Sequence, residues 1–255
     1  MPMGAFPEDP RARRVVTVLD EHEIENCSRN GETQILTDQE MHVLVFPVAE
    51  GATSLALTNI LDAGLDRRNA LLVQSPFDVD IYVDAADAVQ DFSLAKHMLL
   101  SNFCQLLGAT RVSITQMDIV TNDSVQSLKI EGGKLVVKGE FGIEKTVNDS
   151  LCSQLTLVDE YHGGEADLAG AEQLLRNTRL LGDSNMMSLL QSVKASNNRI
   201  KRRSLTVNLS TEANKNLKIV GRVVLPSATL ALEYGSTVKQ TKEYRLTVEV
   251  LFGAA

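Results

Sequence analysis

Between Ser204 and Phe252 apolar and polar side chains alternate with few interruptions, and this pattern constrains the fold more than any other feature of the chain. Leu205, Val207 and Leu209 are spaced by Thr206 and Asn208; Tyr244, Leu246, Val248, Val250 and Phe252 are spaced by Arg245, Thr247 and Glu249. A period of two sends successive side chains to opposite faces of a strand, so one face buries while the other meets water. The pattern predicts a half-exposed antiparallel sheet in four strands, at 204–210, 216–225, 228–234 and 242–252.

Upstream, the period changes several times. Val15 to Leu19 is a β-branched run and the first expected strand. Asn30-Gly31 is a turn signal, with Thr33 to Leu36 expected as the returning strand. His42 to Val48, Leu71 to Val73 and Val79 to Val83 read as further strands. A short helix is expected between a Thr53 or Ser54 cap and Gly64. The strongest helix spans about 92–107, where Phe92, Ala95, Leu99, Phe103 and Leu106 form one apolar stripe and Gly108 stands at the left-handed cap position. Val112 and Ile114 restart the two-residue period, Leu128 to Val137 reads as a hairpin, and Leu151 to Val158 as one more strand. A helical pair at about 166–195 follows, interrupted at Gly182 and recapped by Asp183 or Ser184.

Strands and helices cluster and do not alternate one for one, which predicts an α+β fold with mostly antiparallel sheets and argues against a doubly wound nucleotide-binding fold. The expected organisation is a flexible arm over 1–14, a strand-rich unit over 15–160, and a helical pair with its sheet over 165–255, the last two compatible with one packed domain.

The chain carries few chemical signatures. Cys27, Cys104 and Cys152 form no C-x-x-C pair, and with no apolar leader or membrane-length run this predicts reduced thiols and a cytoplasmic protein. Cys104 is expected in the core. His22, His42, His97 and His162 form no ligand pair, and Asn26 stands where a zinc-protease motif opened by His22-Glu23 needs histidine, so no metal site is expected. His97 is expected at a helix surface or boundary. The series Asp78, Asp80, Asp84, Asp87 and Asp91 reads as a solvated edge followed by acidic residues favouring a helix dipole. No phosphate-cradling glycine loop and no G-x-S-x-G elbow occurs, so no catalytic residue and no cofactor is assigned. Asp159-Glu160-Tyr161-His162, beside Gly163-Gly164, is the one polar quartet with acid–base potential, and the reading leans away from an enzyme.

Charge is uneven. Residues 1–100 hold 17 acidic and 7 basic side chains, whereas the remainder holds 16 and 18. An anionic partner therefore meets the second part, where Arg199, Lys201, Arg202 and Arg203 form a basic run. Three functions follow from these residues. The leading one is a non-enzymatic cytosolic interaction or assembly protein acting through sheet edges or helix faces, binding a protein partner or itself as a homo-oligomer. The second is an oligomerising, pore-forming effector whose membrane-facing residues are Tyr244, Leu246, Val248, Val250 and Phe252. The third is nucleic-acid or phosphate binding through 199–203, for which no aromatic residue interleaves with the basic run to stack on bases.

Overall fold

The computed structural model describes residues 6–48, 54–122, 124–131, 134–138, 144–145, 151, 154–155, 158–195, 200–222, 230, 234–235 and 242–253. It is an α+β fold with two mostly antiparallel sheets, dividing into unit 1 (1–91 and 212–241) and unit 2 (92–211 and 242–255). The division falls inside the long central helix and not at the His162–Gly164 link.

Unit 1 contains β1 (Val15–Asp20), α1 (Glu21–Arg29), α2 (Gln34–Thr37), β2 (Met41–Phe46), α3 (Leu55–Asp62), β3 (Leu71–Gln74) and β4 (Tyr82–Asp84). The sheet order is β2-β1-β3-β4, with β1 and β2 parallel and the other pairs antiparallel. The expected hairpin at Asn30-Gly31 is therefore absent. Gly31 does turn with φ 74°, but 34–37 is one helical turn, and α1 carries the chain across so that β2 returns parallel to β1. Asp20 and Glu23 explain α1: the Asp20 carboxylate accepts from Glu23 N–H while the Glu23 carboxylate accepts from Asp20 N–H, a capping box. The segment preceding β1 is tied down. Phe6 is 7% exposed within the core around Val16, Val18, Ile60 and Leu72. Arg13 donates to Val79 O and Tyr82 Oη at 2.8 and 3.0 Å and pairs with Asp80 at 2.8 Å.

The sequence pattern fails most clearly at 216–225. Residues Thr211–Val220 form a helix, not a strand. Ala213, Leu217 and Val220 fall at i, i+4 and i+7 and are buried, and Asn216 donates from Nδ2 to Gln74 O at 2.8 Å. Tertiary burial of a helical stripe overrides the short alternation of Leu217 and Ile219. Expected strand 228–234 lies mostly outside the described residues, and Leu230 and Tyr234 are helical.

The central helix, α4 (Ala88–Leu106), leads into unit 2, built from β5 (Ala109–Val120), β6 (Val125–Glu131), β7 (Lys134–Lys138), β8 (Glu144–Lys145), β9 (Val158–Glu160), α5 (Leu168–Asn177), α6 (Ser184–Lys194), β10 (Arg202–Asn208) and β11 (Glu243–Phe252); Thr211–Val220 of unit 1 is α7. The sheet runs β10-β11-β5-β6-β7-β8, with β9 also on β5. Of the strand expected over Leu151 to Val158, Leu151 is helical and β9 begins at Val158, while 152–153 and 156–157 lie outside the described residues.

β11 is the middle of this construction, paired along its length with β5 and β10. Tyr244, Leu246, Val248 and Val250 are buried and Phe252 half-buried, so the alternating face meets protein in this conformation. Lipid contact would require β11 to leave the sheet. Replacing Val248, fully buried, with Asp places an unpaired carboxylate in the core, and chemical denaturation is expected to show a loss on the order of 3 kcal/mol or more. Thr247→Asp, on the opposite face, should cost less than about 1 kcal/mol.

Candidate functional site

Two bonds at the ends of β10 fix which backbone groups it leaves unpaired. Phe252 N–H donates to Lys201 O at 3.0 Å and Leu209 N–H donates to Tyr244 O at 2.8 Å. With the register Arg203↔Val250, Leu205↔Val248 and Val207↔Leu246, odd-numbered residues of β10 bond to β11. Even-numbered residues, Arg202, Ser204, Thr206 and Asn208, turn N–H and C=O towards the free edge of the sheet.

That edge is closed in its second half. Asn185 Nδ2 donates to Thr206 O at 2.8 Å, and Lys96 Nζ donates to Asn208 O at 2.9 Å. Asn185 is held by α6, whose N-cap Asp183 accepts from Asn185 and Met186 N–H and also pairs with Lys96 at 2.9 Å. The first half is open: Arg202, Arg203 and Ser204 are exposed, and no side chain among the described residues caps the outward groups of Arg202 and Ser204.

The basic run converges here. Arg202 pairs with Glu249 across the strand, and Arg203 donates to Ser188 Oγ at 3.1 Å. Lys201 and Arg203 have no ion-pair partner among the described residues. Lys194, at the end of α6, pairs with Glu172 of α5 and holds that carboxyl below the usual carboxylate range. Arg199 lies outside the described residues.

Beside the start of β10 lies a pocket of about 740 Å³, walled by Leu107, Leu168, Val193, Ile200 and Phe252 and fringed by Thr110, His162, Glu165 and Lys194. Backbone packing shapes it. Tyr161 N–H donates to Thr110 O and Asp167 N–H to Leu106 O, both at 2.8 Å, bracketing the 162–166 loop. Gly108 takes φ 81°, and a Cβ there would stand 2.5 Å from Gly164 O. The Gly108 cap expected for the helix thus also seats the loop. Asp167 then caps α5 by accepting from Gly170 N–H at 2.8 Å.

The polar quartet is divided by this arrangement. Ser101 of α4 donates its one hydroxyl proton to the Asp159 carboxylate, and the Tyr161 hydroxyl therefore donates to Ser101 Oγ. Burial pushes the Tyr161 phenol up, reinforced by the Asp159 charge. Burial also raises the nearby Cys104 thiol to about 12, so both groups stay protonated at neutral pH; Cys104 is the core thiol its helix position predicts. Glu160 and His162 line a smaller hollow of about 330 Å³ adjoining the pocket. The aspartate series serves local structure: Asp80 and Asp84 pair with Arg13 and Arg67, and Asp78 accepts from Asp80 N–H. No cluster of metal-ligating side chains occurs among the described residues.

His97 corrects an expectation: it is 3% exposed, not at a surface. The buried face of α4 carries Ser93, Lys96, His97 and Ser101 among its apolar residues, so it is rotated from the stripe of Ala95, Leu99 and Leu106. Ser93, Lys96 and Ser101, which bond to Ser210, Asp183 and Asp159, help define this face, and hydrophobicity alone misses them. Family models, curated proteins and solved structures were all compared with the chain, and none matches it.

Gly108 and Gly64 separate strain from crowding. Both have positive φ, but a Cβ on Gly64 meets nothing within 4 Å. Gly64→Ala is expected to cost about 1 kcal/mol from backbone strain, and Gly108→Ala at least about 2 kcal/mol in urea unfolding, because the Gly164 carbonyl must move as well.

Proposed function

We propose that this chain is a non-enzymatic binding protein that captures an extended, acidic segment of another protein along the first half of β10. The carrying observation is the half-capped edge: Thr206 and Asn208 are sealed by Asn185 and Lys96, while Arg202 and Ser204 present four backbone groups beside Lys201 and Arg203. Strand addition supplies main-chain hydrogen bonds, and the cations supply preference for acidic side chains. Edge lysines and arginines also discourage pairing with another cationic or neutral edge, so the same charges select the partner.

A second copy of the chain suits this edge poorly. Antiparallel pairing through Arg202 and Ser204 would set Arg203 directly opposite its own copy, and opposed like charges destabilise a strand pair. Nucleic acid is also less well served. Arg202 and Lys194 are engaged by Glu249 and Glu172, leaving Lys201 and Arg203 to neutralise phosphates. The free buried thiols of Cys27 and Cys104 suit the cytoplasm, where we place the protein. Among the described residues no helix is long and apolar enough to cross a membrane.

Ser204→Pro isolates the mechanism. Ser204 N–H points away from β11, so proline there blocks an added strand without removing a bond of the existing ladder. Fluorescence anisotropy with a labelled peptide of alternating Glu and Thr is expected to show binding that weakens with salt, falls at least about tenfold in Lys201→Glu, and disappears in Ser204→Pro. Equal binding by wild type and Ser204→Pro, or preference for a single-stranded oligonucleotide over the peptide, would contradict the proposal. Concentration-dependent dimers by light scattering, lost in Ser204→Pro, would transfer the edge to self-association.

A further inference from the structure

We infer that the pocket beside Ile200 is the specificity pocket for one large apolar side chain of the segment that pairs with β10. The inference rests on the strand-addition reading and adds to it a requirement on the partner: acidic residues next to a Phe- or Leu-sized anchor. Ile200 immediately precedes Lys201 and forms part of the pocket wall. An extended chain advances about 3.3 Å per residue, so Ile200 stands roughly two such steps before Arg202. A segment bonded to Arg202 and continuing past Lys201 runs towards Ile200 and the pocket that Ile200 lines.

The lining suits such an anchor. Leu107, Leu168, Val193, Ile200 and Phe252 offer apolar walls contributed by the turn after α4, α5, α6, the approach to β10, and β11. The hollow, about 740 Å³ and open to solvent on one side, has room for an aromatic ring. Gly108 and Gly163 keep one wall to backbone: a Cβ on Gly163 would come within 2.7 Å of Thr110 Cγ2. Lys201 and Arg203 follow Ile200 directly, so one segment meets positive charge and apolar surface together, while at the rim Lys194 is already paired with Glu172 and Glu165 also lines the pocket. Peptide sites built on sheet edges combine these elements, with backbone pairing for affinity and a side-chain pocket for selection.

The test uses the full chain and three labelled peptides of alternating Glu and Thr: one plain, one with Phe at its N-terminus, one with Phe at its C-terminus. One Phe peptide is expected to bind about tenfold tighter than the plain one. Filling the pocket with Ala166→Trp, at a position that also lines it, or with Val193→Trp should the first variant lose its cooperative melt, is expected to bring that ratio to about one. If the plain peptide binds and Ser204→Pro abolishes it, but neither Phe peptide gains or both filled variants keep the gain, the pocket inference is overturned and the edge reading stands. If a Phe peptide binds Ser204→Pro as tightly as wild type, the pocket is an independent ligand site and the linkage is overturned. Failure of all three peptides to bind would remove both readings.

Discussion

The Lys96 ammonium is 2% exposed in its side chain, and unit 2 is arranged around the need to satisfy it. A buried charge is tolerated only when paired and hydrogen-bonded, and removing one partner of such a pair costs about 3–5 kcal/mol. Lys96 finds Asp183 and the Asn208 carbonyl, each at 2.9 Å. Asp183 simultaneously caps α6, and Asn208 ends β10. One ammonium group therefore sets where α4, α6 and the outermost strand meet, and it does so by occupying an outward-facing carbonyl of that strand.

The uneven capping of β10 follows from this placement. α6 begins beside Thr206, which brings Asn185 onto a second outward carbonyl, and it ends at Lys194, by the pocket. The closed half of β10 lies where α6 starts. The open half lies beyond the reach of Asn185 and Lys96, with cations in place of a cap. An unsealed strand edge invites pairing of any kind, and positive charge narrows what is accepted. The Gly108–Gly164 contact matters for the same reason: it holds the 162–166 loop as a wall of the pocket next to the open half.

Much of the fold is legible in the sequence because its elements obey one period at a time. β1, β2, β3, β5 and β11, the Ser54-capped α3, the α5–α6 pair around Gly182 and Asp183, and the Gly108 cap stand where residue spacing and cap chemistry place them. α1 is marked by its Asp20–Glu23 capping box, but the Asn30-Gly31 turn signal leads to the expectation of a hairpin in its place. α7 is not legible, because Leu217 and Ile219 alternate like a strand and only burial against unit 1 decides for the helix. At the candidate site, the exposed cations Lys201, Arg202 and Arg203 stand out in sequence. What makes their strand distinctive does not: Lys96, Asn185 and Ser101 are polar residues whose roles arise from partners 21 to 112 positions away. The parity of β10's hydrogen bonds is likewise a property of register, which spacing alone leaves open.

Backbone amide hydrogen exchange, read residue by residue by NMR, is the direct test of the proposal that Arg202 and Ser204 hold an unpaired edge ready for a partner. The account predicts slow exchange at Arg203, Leu205 and Val207, whose amides bond to β11. It predicts fast exchange at Arg202 and Ser204, slowing at least about tenfold when the alternating Glu and Thr peptide saturates the protein. Protection of Arg202 and Ser204 in the protein alone, or continued fast exchange of both with the peptide bound, would contradict it.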